Sequence, residues 1–129
     1  MIMPRKWFMF VTMPALAGTV TSAALAAGDP VKGKADFEQC AACHSLEAGQ
    51  NGVGPSLHGL FGRKSGAEED FVYSAAMRRA NVTWTPEMLD RYLADPQGGI
   101  FRGNRMPFAG IPDSQARQDL IAYLEQATK

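Results

Sequence analysis

The residues best able to do chemistry in this chain stand together. "CAACH" places Cys40, Cys43 and His44 within five positions, and holds both cysteines and one of the two histidines. Two thiols at this spacing can close a disulfide or a redox site, chelate a metal, or add across the vinyl groups of a porphyrin as thioethers. The imidazole directly after the second thiol favours the third chemistry. A disulfide has no use for it, and a thioredoxin-like site follows a strand in a βαβ unit, whereas no strand pattern precedes Cys40. A structural zinc takes four ligands. Cys40, Cys43, His44 and His58 are the whole supply, and the adjacent Cys43 and His44 suit one tetrahedral ion poorly. C-x-x-C-H is the attachment sequence of c-type haem, with His44 turned under the iron as an axial ligand. Zinc and a disulfide remain the alternatives.

Haem iron in an electron carrier takes a second axial ligand, and methionine there raises the potential. Met77, in "AAMRRA", and Met88, on an apolar helical stripe, have packing reasons to be where they are. Met106 has none. It lies in "GNRMPFAG", a Gly- and Pro-containing loop stiffened by Pro107, and such a loop can lay a thioether over a flat ring. His58 or an open sixth position are the other options. Haem propionates need donors wherever they leave water; Arg63, Tyr73 and Trp84 are candidates, though each could equally be a solvated or core side chain.

Three main helices must position these groups. The first is expected from Pro30 to Cys43, with Asp29 as cap and Pro30 at the first helical position. It puts Phe37 and Cys40 on one face and projects the CxxCH side chains to one side. The second is "TPEMLDRYLADP", capped by Thr85, stopped by Pro96, and carrying the stripe Met88, Leu89, Tyr92 and Leu93. The third is "PDSQARQDLIAYLEQATK", with Asp113 as cap and Ala116, Leu120, Tyr123, Leu124 and Ala127 at helical spacing. A short turn from Ser74 to Arg79 fits between the first two. The remaining loops are Gly- and Pro-rich and show no strand alternation. So few helical residues offer little apolar surface for a secure core, so something else must fill the middle.

Residues 1–26 read as a secretory leader: Arg5 and Lys6, an apolar run, and the small-residue end Ala24-Leu25-Ala26. Cleavage after Ala26 leaves one domain, 27–129, and no stable membrane insertion. An uncleaved segment would instead act as a membrane anchor. Thirteen basic and thirteen acidic residues balance over the whole chain, and losing Arg5 and Lys6 leaves a slight acidic excess. Such a balance excludes a general nucleic-acid binder. Export to an oxidising compartment also makes a disulfide the default for two plain cysteines, so His44 is the residue that displaces it.

Taken in order, "CAACH", "GPSLHGLFGRKSG", "VTW", "DRYLADP", "RMPFAG" and "DLIAYLEQATK" resemble the class I cytochromes c, in particular the mitochondrial-type and short alphaproteobacterial ones. The resemblance implies an all-α fold wrapped around one covalently bound haem c, with the first and last helices crossing where Gly33 and Phe37 meet Leu120 and Tyr123. It implies that Pro55 offers its carbonyl to His44, that Tyr92 bonds toward the Met106 sulfur, and that Arg63, Tyr73 and Trp84 surround a propionate. It makes His58 a surface residue. Two departures from the family pattern bear on tuning: Asn104-Arg105 where Thr-Lys is common, and Met77 where an Asn often lies.

The function implied is a periplasmic, monomeric one-electron carrier and not an enzyme. It would dock transiently with a bc-type complex, a terminal oxidase, a photosynthetic reaction centre or a dehydrogenase. Lys32, Lys34, Arg102 and Arg105 are the candidate docking patch, since charge steers such encounters; the acidic run Glu68, Glu69 and Asp70 is expected to face away. The alternative is a haem protein with a labile sixth ligand, acting as a small-ligand sensor or redox-enzyme subunit.

Overall fold

The computed structural model describes residues 27–129; the expected leader lies outside them. The fold is all-α. Its helices are α1 (Pro30–Asp36), α2 (Glu38–Ala41), α3 (Ala75–Ala80), α4 (Pro86–Ala94) and α5 (Ser114–Ala127), with a 3₁₀ turn at Gly99–Phe101. Among the described residues the sole β-feature is an isolated antiparallel bridge between Lys64 and Thr83. No described helix is long and apolar enough to cross a membrane.

The caps fall where residue chemistry puts them. Asp29 accepts from the Val31 and Lys32 amides, Ser74 from Met77, Thr85 from Met88 and Asp113 from Ala116, satisfying donors that each first turn leaves over. The first helix differs from expectation. It does not run unbroken to Cys43, because at Phe37 the bonding tightens: the Phe37 carbonyl accepts from both Cys40 N at 2.8 Å and Ala41 N at 3.0 Å. Phe37 itself stays right-handed (φ −66°, ψ −21°), so α2 continues from α1. Cys40 therefore lies on α2, while Cys43 and His44 lie just past it, their amides both bonded to the Cys40 carbonyl. The 3₁₀ turn was also unexpected; "QGGIF" carries no apolar periodicity from which to read it.

α1 and α5 cross backbone to backbone. A Cβ on Gly33 would stand 1.9 Å from the Asp119 carbonyl oxygen, so only glycine permits this approach. Beside it the Phe37 and Tyr123 rings meet at 5.5 Å, and Leu120 is fully buried. Polar bonds fix the same crossing. Asp119 Oδ1 accepts from the Asp29 amide at 2.8 Å and from Gln115 Nε2 at 3.0 Å. α4 joins α5 through the Arg117–Asp90 ion pair at 2.8 Å and buries Leu89, Tyr92 and Leu93 of its expected stripe.

The bonds from Asp29 and Gln115, with Lys32 nearby, hold the Asp119 carboxyl below its ordinary value. A carboxyl depressed in the fold contributes stability at neutral pH. That contribution fades as pH falls through the ordinary carboxylate range to the folded value. Asp119→Asn, which can still accept both bonds, is therefore expected to flatten the loss of stability between about pH 5 and pH 3. Denaturant midpoints of both proteins across that range check it; parallel curves would contradict the assignment.

Candidate haem site

Helices and loops enclose a cleft of about 620 Å³, within the range of cofactor sites. Cys40, Cys43 and His44 enter it from α2 and the turn that follows, Met106 from the segment between the 3₁₀ turn and α5. Its apolar walls are core residues, among them Leu60, Trp84, Leu89, Leu93 and Leu120. The surface missing from a helices-only core is thus the surface lining this cleft.

His44 is held in one tautomer. Its Nδ1 stands 2.7 Å from the Pro55 carbonyl oxygen; a carbonyl only accepts, so Nδ1 carries the proton. Burial lowers the imidazole pKa, the Pro55 bond works against this, and the Arg63 charge adds to the lowering. The ring is therefore neutral at neutral pH, and Nε2 keeps its lone pair for a metal. Gly54 makes room for it: a Cβ there would lie 2.5–2.9 Å from His44 ring atoms.

Met106 is held from α4. Tyr92 donates its hydroxyl to Met106 Sδ at 3.0 Å. The Tyr92 ring packs edge-on against Trp84 (5.3 Å) and Phe101 (4.8 Å), which fixes the aim of that hydroxyl. Burial pushes the phenol pKa up to about 12, with Asn104 pulling it down, so it stays a donor. Asn104 and Gln97 bond the Met106 backbone, Met106 N donating to Asn104 Oδ1 at 2.7 Å and Gln97 Nε2 donating to Met106 O at 3.0 Å.

Arg63, Tyr73 and Trp84 all line the cleft. Arg63 donates from Nη1 to His58 O and Glu68 Oε2, and from Nη2 to Ser56 O, yet its buried Nε has no partner among the described residues. The Tyr73 hydroxyl already accepts from the Glu68 amide at 3.1 Å. Trp84 stacks on Phe101 at 5.7 Å. Within the acidic run, Glu69 and Asp70 are exposed while Glu68 turns to Arg63. The Glu68 carboxylate is 2.9 Å from Arg63 with side-chain exposure of only 19 %, because a largely buried guanidinium needs a counter-charge.

The competing chemistries fit less well. His58 is exposed and does not line the cleft, and among the described residues no three of His, Cys, Asp and Glu gather around a metal position. Cys40 and Cys43 are unbridged. Burial pushes the Cys40 thiol up to about 11, with Asp36 and Cys43 adding to it, the reverse of the depressed thiol that a redox exchange site needs.

Few helices, long capped loops and an apolar cleft holding two thiols, a neutral imidazole and a fixed thioether define a helical haem protein. The chain belongs to the cytochrome c family, whose sequence pattern, "Cytochrome c", matches residues 30–128. It is 47 % identical to cytochrome c2 of Blastochloris viridis over 112 residues, 86 % of each chain. Against cytochrome c2 of Rhodopila globiformis it is 48 % identical over 99 residues, 76 % of this chain and 92 % of that one. Against cytochrome c of Trypanosoma brucei brucei it is 52 % identical over 81 residues, 63 % of this chain and 86 % of that one. With the family come the class I fold, one covalently attached haem c and the role of a single-haem electron carrier. The residues fit that group: thiols and an imidazole at one wall, a thioether from another, apolar sides, and an unpaired guanidinium Nε beside it.

Gly54 and Gln97 escaped the sequence reading, and Asn104 entered it only as a departure from the family pattern. Gly54 looks like one more loop glycine, and Gln97 and Asn104 like loop polar residues. Gly54→Ala is expected to push the imidazole from its place, with overpacking costing about 1–3 kcal/mol. Visible spectra of the haem-loaded variant should show loss of histidine coordination, and an unaltered spectrum would contradict the cradle.

Proposed function

We propose that the chain is an exported, periplasmic one-electron carrier in which Cys40 and Cys43 anchor the haem and His44 and Met106 are its axial ligands. When bound, the haem would supply the one-electron redox chemistry. The protein's part is to hold both ligands still, so that little rearranges with the electron, and to keep the cofactor in an apolar surround. One observation carries this reading: both candidate ligands are fixed by bonds to other residues, His44 through Pro55 at 2.7 Å and Met106 through Tyr92 at 3.0 Å. A sensor needs a sixth position that opens, and a thioether held on its sulfur and both sides of its backbone favours one that stays closed. Arg63 Nε, with Tyr73 and Trp84 near it, is the donor set proposed for a propionate. Residues 1–26 are proposed as the cleaved leader and 27–129 as the mature monomer, with no enzyme activity of its own.

Spectra test this reading. The purified protein should give c-type haem bands, with a pyridine adduct typical of thioether attachment and an iron–sulfur charge-transfer band when oxidised. Carbon monoxide should bind the reduced protein slowly or not at all; fast binding without that band would favour the sensor reading.

Partners are proposed to dock at the cleft, which exposed Val53 and Val72 line together with Arg105. Lys32, Lys34, Arg102 and Arg105 are all exposed, while Arg105 also donates to the Val72 carbonyl at 2.9 Å. A bc-type complex, terminal oxidase, reaction centre or dehydrogenase would each suit such an encounter. Reversing charge at Arg102 and Arg105 together should slow electron transfer with a bc-type complex at low salt and alter the salt slope. An unchanged rate and slope would remove the patch.

A further inference from the structure

Asn104 stands out as a buried polar residue between exposed neighbours. It is 7 % exposed, while Gly103 and Arg105 on either side are open to water. Buried amides are retained where they are bonded, and this one is bonded at both ends. Oδ1 accepts from the Met106 amide at 2.7 Å. Nδ2 donates to the carbonyl of Pro96, a fully buried residue just past α4. The Asn104 carbonyl also accepts from Gln97 Nε2 at 3.3 Å.

We propose that Asn104 is the positioning residue for Met106: its side chain ties the Met106 backbone to the end of α4 and thereby sets how readily a small ligand displaces the thioether. The proposal rests on the reading of Met106 as an iron ligand. Two comparisons assign this role to Asn104. The sulfur itself is held by one hydrogen bond to a weak acceptor, which fixes direction more than it resists displacement. Of the other bonds to the Met106 backbone, the one from Phe108 N at 2.9 Å stays within the loop itself, and Gln97 is exposed, so water can replace its bonds at little cost. The Asn104 bonds are shielded, and breaking them strands a donor and an acceptor away from water. Residue type matters as well: an apolar side chain of the same size would make neither bond, and a hydroxyl could make only the nearer one.

Displacement is a ligand exchange without change of oxidation state: the iron–sulfur bond breaks and a bond to the entering nitrogen forms. The segment 104–106 must then swing away from Pro96. The haem-loaded protein and its variants Asn104→Ala, Asn104→Ser and Gln97→Ala are titrated, oxidised, with imidazole, following the exchange rate and the iron–sulfur charge-transfer band. Asn104→Ala is expected to speed exchange about tenfold or more and to weaken the band. Asn104→Ser should fall between, since its hydroxyl can still accept from the Met106 amide two residues on. Gln97→Ala should speed exchange less than Asn104→Ala does, because water can replace its exposed bonds; an equal or larger effect overturns the proposal. Exchange at the parent rate in Asn104→Ala overturns the proposal. If that variant fails to fold, Asn104→Ser decides, a severalfold increase supporting it and the parent rate overturning it. A parent protein without the band, binding imidazole at once, overturns Met106 ligation and this proposal together; a normal parent band with unaltered variants overturns this proposal alone.

Discussion

The contact of Gly33 with the Asp119 carbonyl is the constraint on which the rest of the structure depends. Because α1 carries no side chain there, α5 lies directly on its backbone, and the Cβ that glycine lacks would stand 1.9 Å from that oxygen. α1 leads through Phe37 into α2 and the cysteines, and α5 presents Leu120 and Leu124 to the cleft. The crossing therefore sets where the thiols and imidazole stand relative to one apolar wall. The Asp29–Asp119 bond and the Phe37–Tyr123 contact lock the same geometry from two sides. A pair of helices too short to be stable alone becomes rigid by sharing a backbone interface.

α4 is the second anchor and serves the other side of the site. It is bound to α5 by Arg117 on Asp90, and Ile111 N donates to Leu93 O at 2.8 Å, returning the chain to α4 after Met106. Between those points the loop passes Asn104 and Met106 over the cleft. The same helix thus supplies a core stripe, the hydroxyl on the sulfur and the attachment point for the loop. Core and site are one set of residues: Leu60, Trp84, Leu89, Leu93, Leu120 and Leu124 bury themselves against one another and leave the cleft between them.

Local chemistry was legible in the sequence and long-range packing was not. Caps at Asp29, Ser74, Thr85 and Asp113, and the stop at Pro96, follow from side chains acting within three or four residues, and the four helices so capped start where they indicate. The cluster "CAACH" named its own cofactor because covalent attachment demands adjacency. The break at Phe37 depends on how two bonds share one carbonyl, which periodicity does not encode. The Glu68–Arg63 pair joins loop residues whose exposure was invisible, so one residue of an acidic run supplies a largely buried counter-charge while Glu69 and Asp70 stay exposed. Gly54 could not be told from other loop glycines, since its importance lies in the imidazole placed beside it.

The two proposed axial ligands also differ in what holds them, and that difference explains why the attachment motif alone does not specify a carrier. His44 is fixed within a short stretch of chain: its bond partner is Pro55 and its space is made by Gly54. Any chain that folds this turn around a haem obtains that half of the site. Met106 is held from α4 by Tyr92 and from the segment just past it by Gln97 and, through Asn104, by Pro96, so its place depends on α4 being correctly docked on α5. The sixth position is consequently the part of the site most exposed to the stability of the whole fold. With His44 and Met106 as the proposed ligands, a loosened α4 would free the methionine while leaving the attached haem and the histidine in place. Carrier and ligand-binding behaviour are then separated not by the cysteines but by how firmly one loop is fastened to one helix.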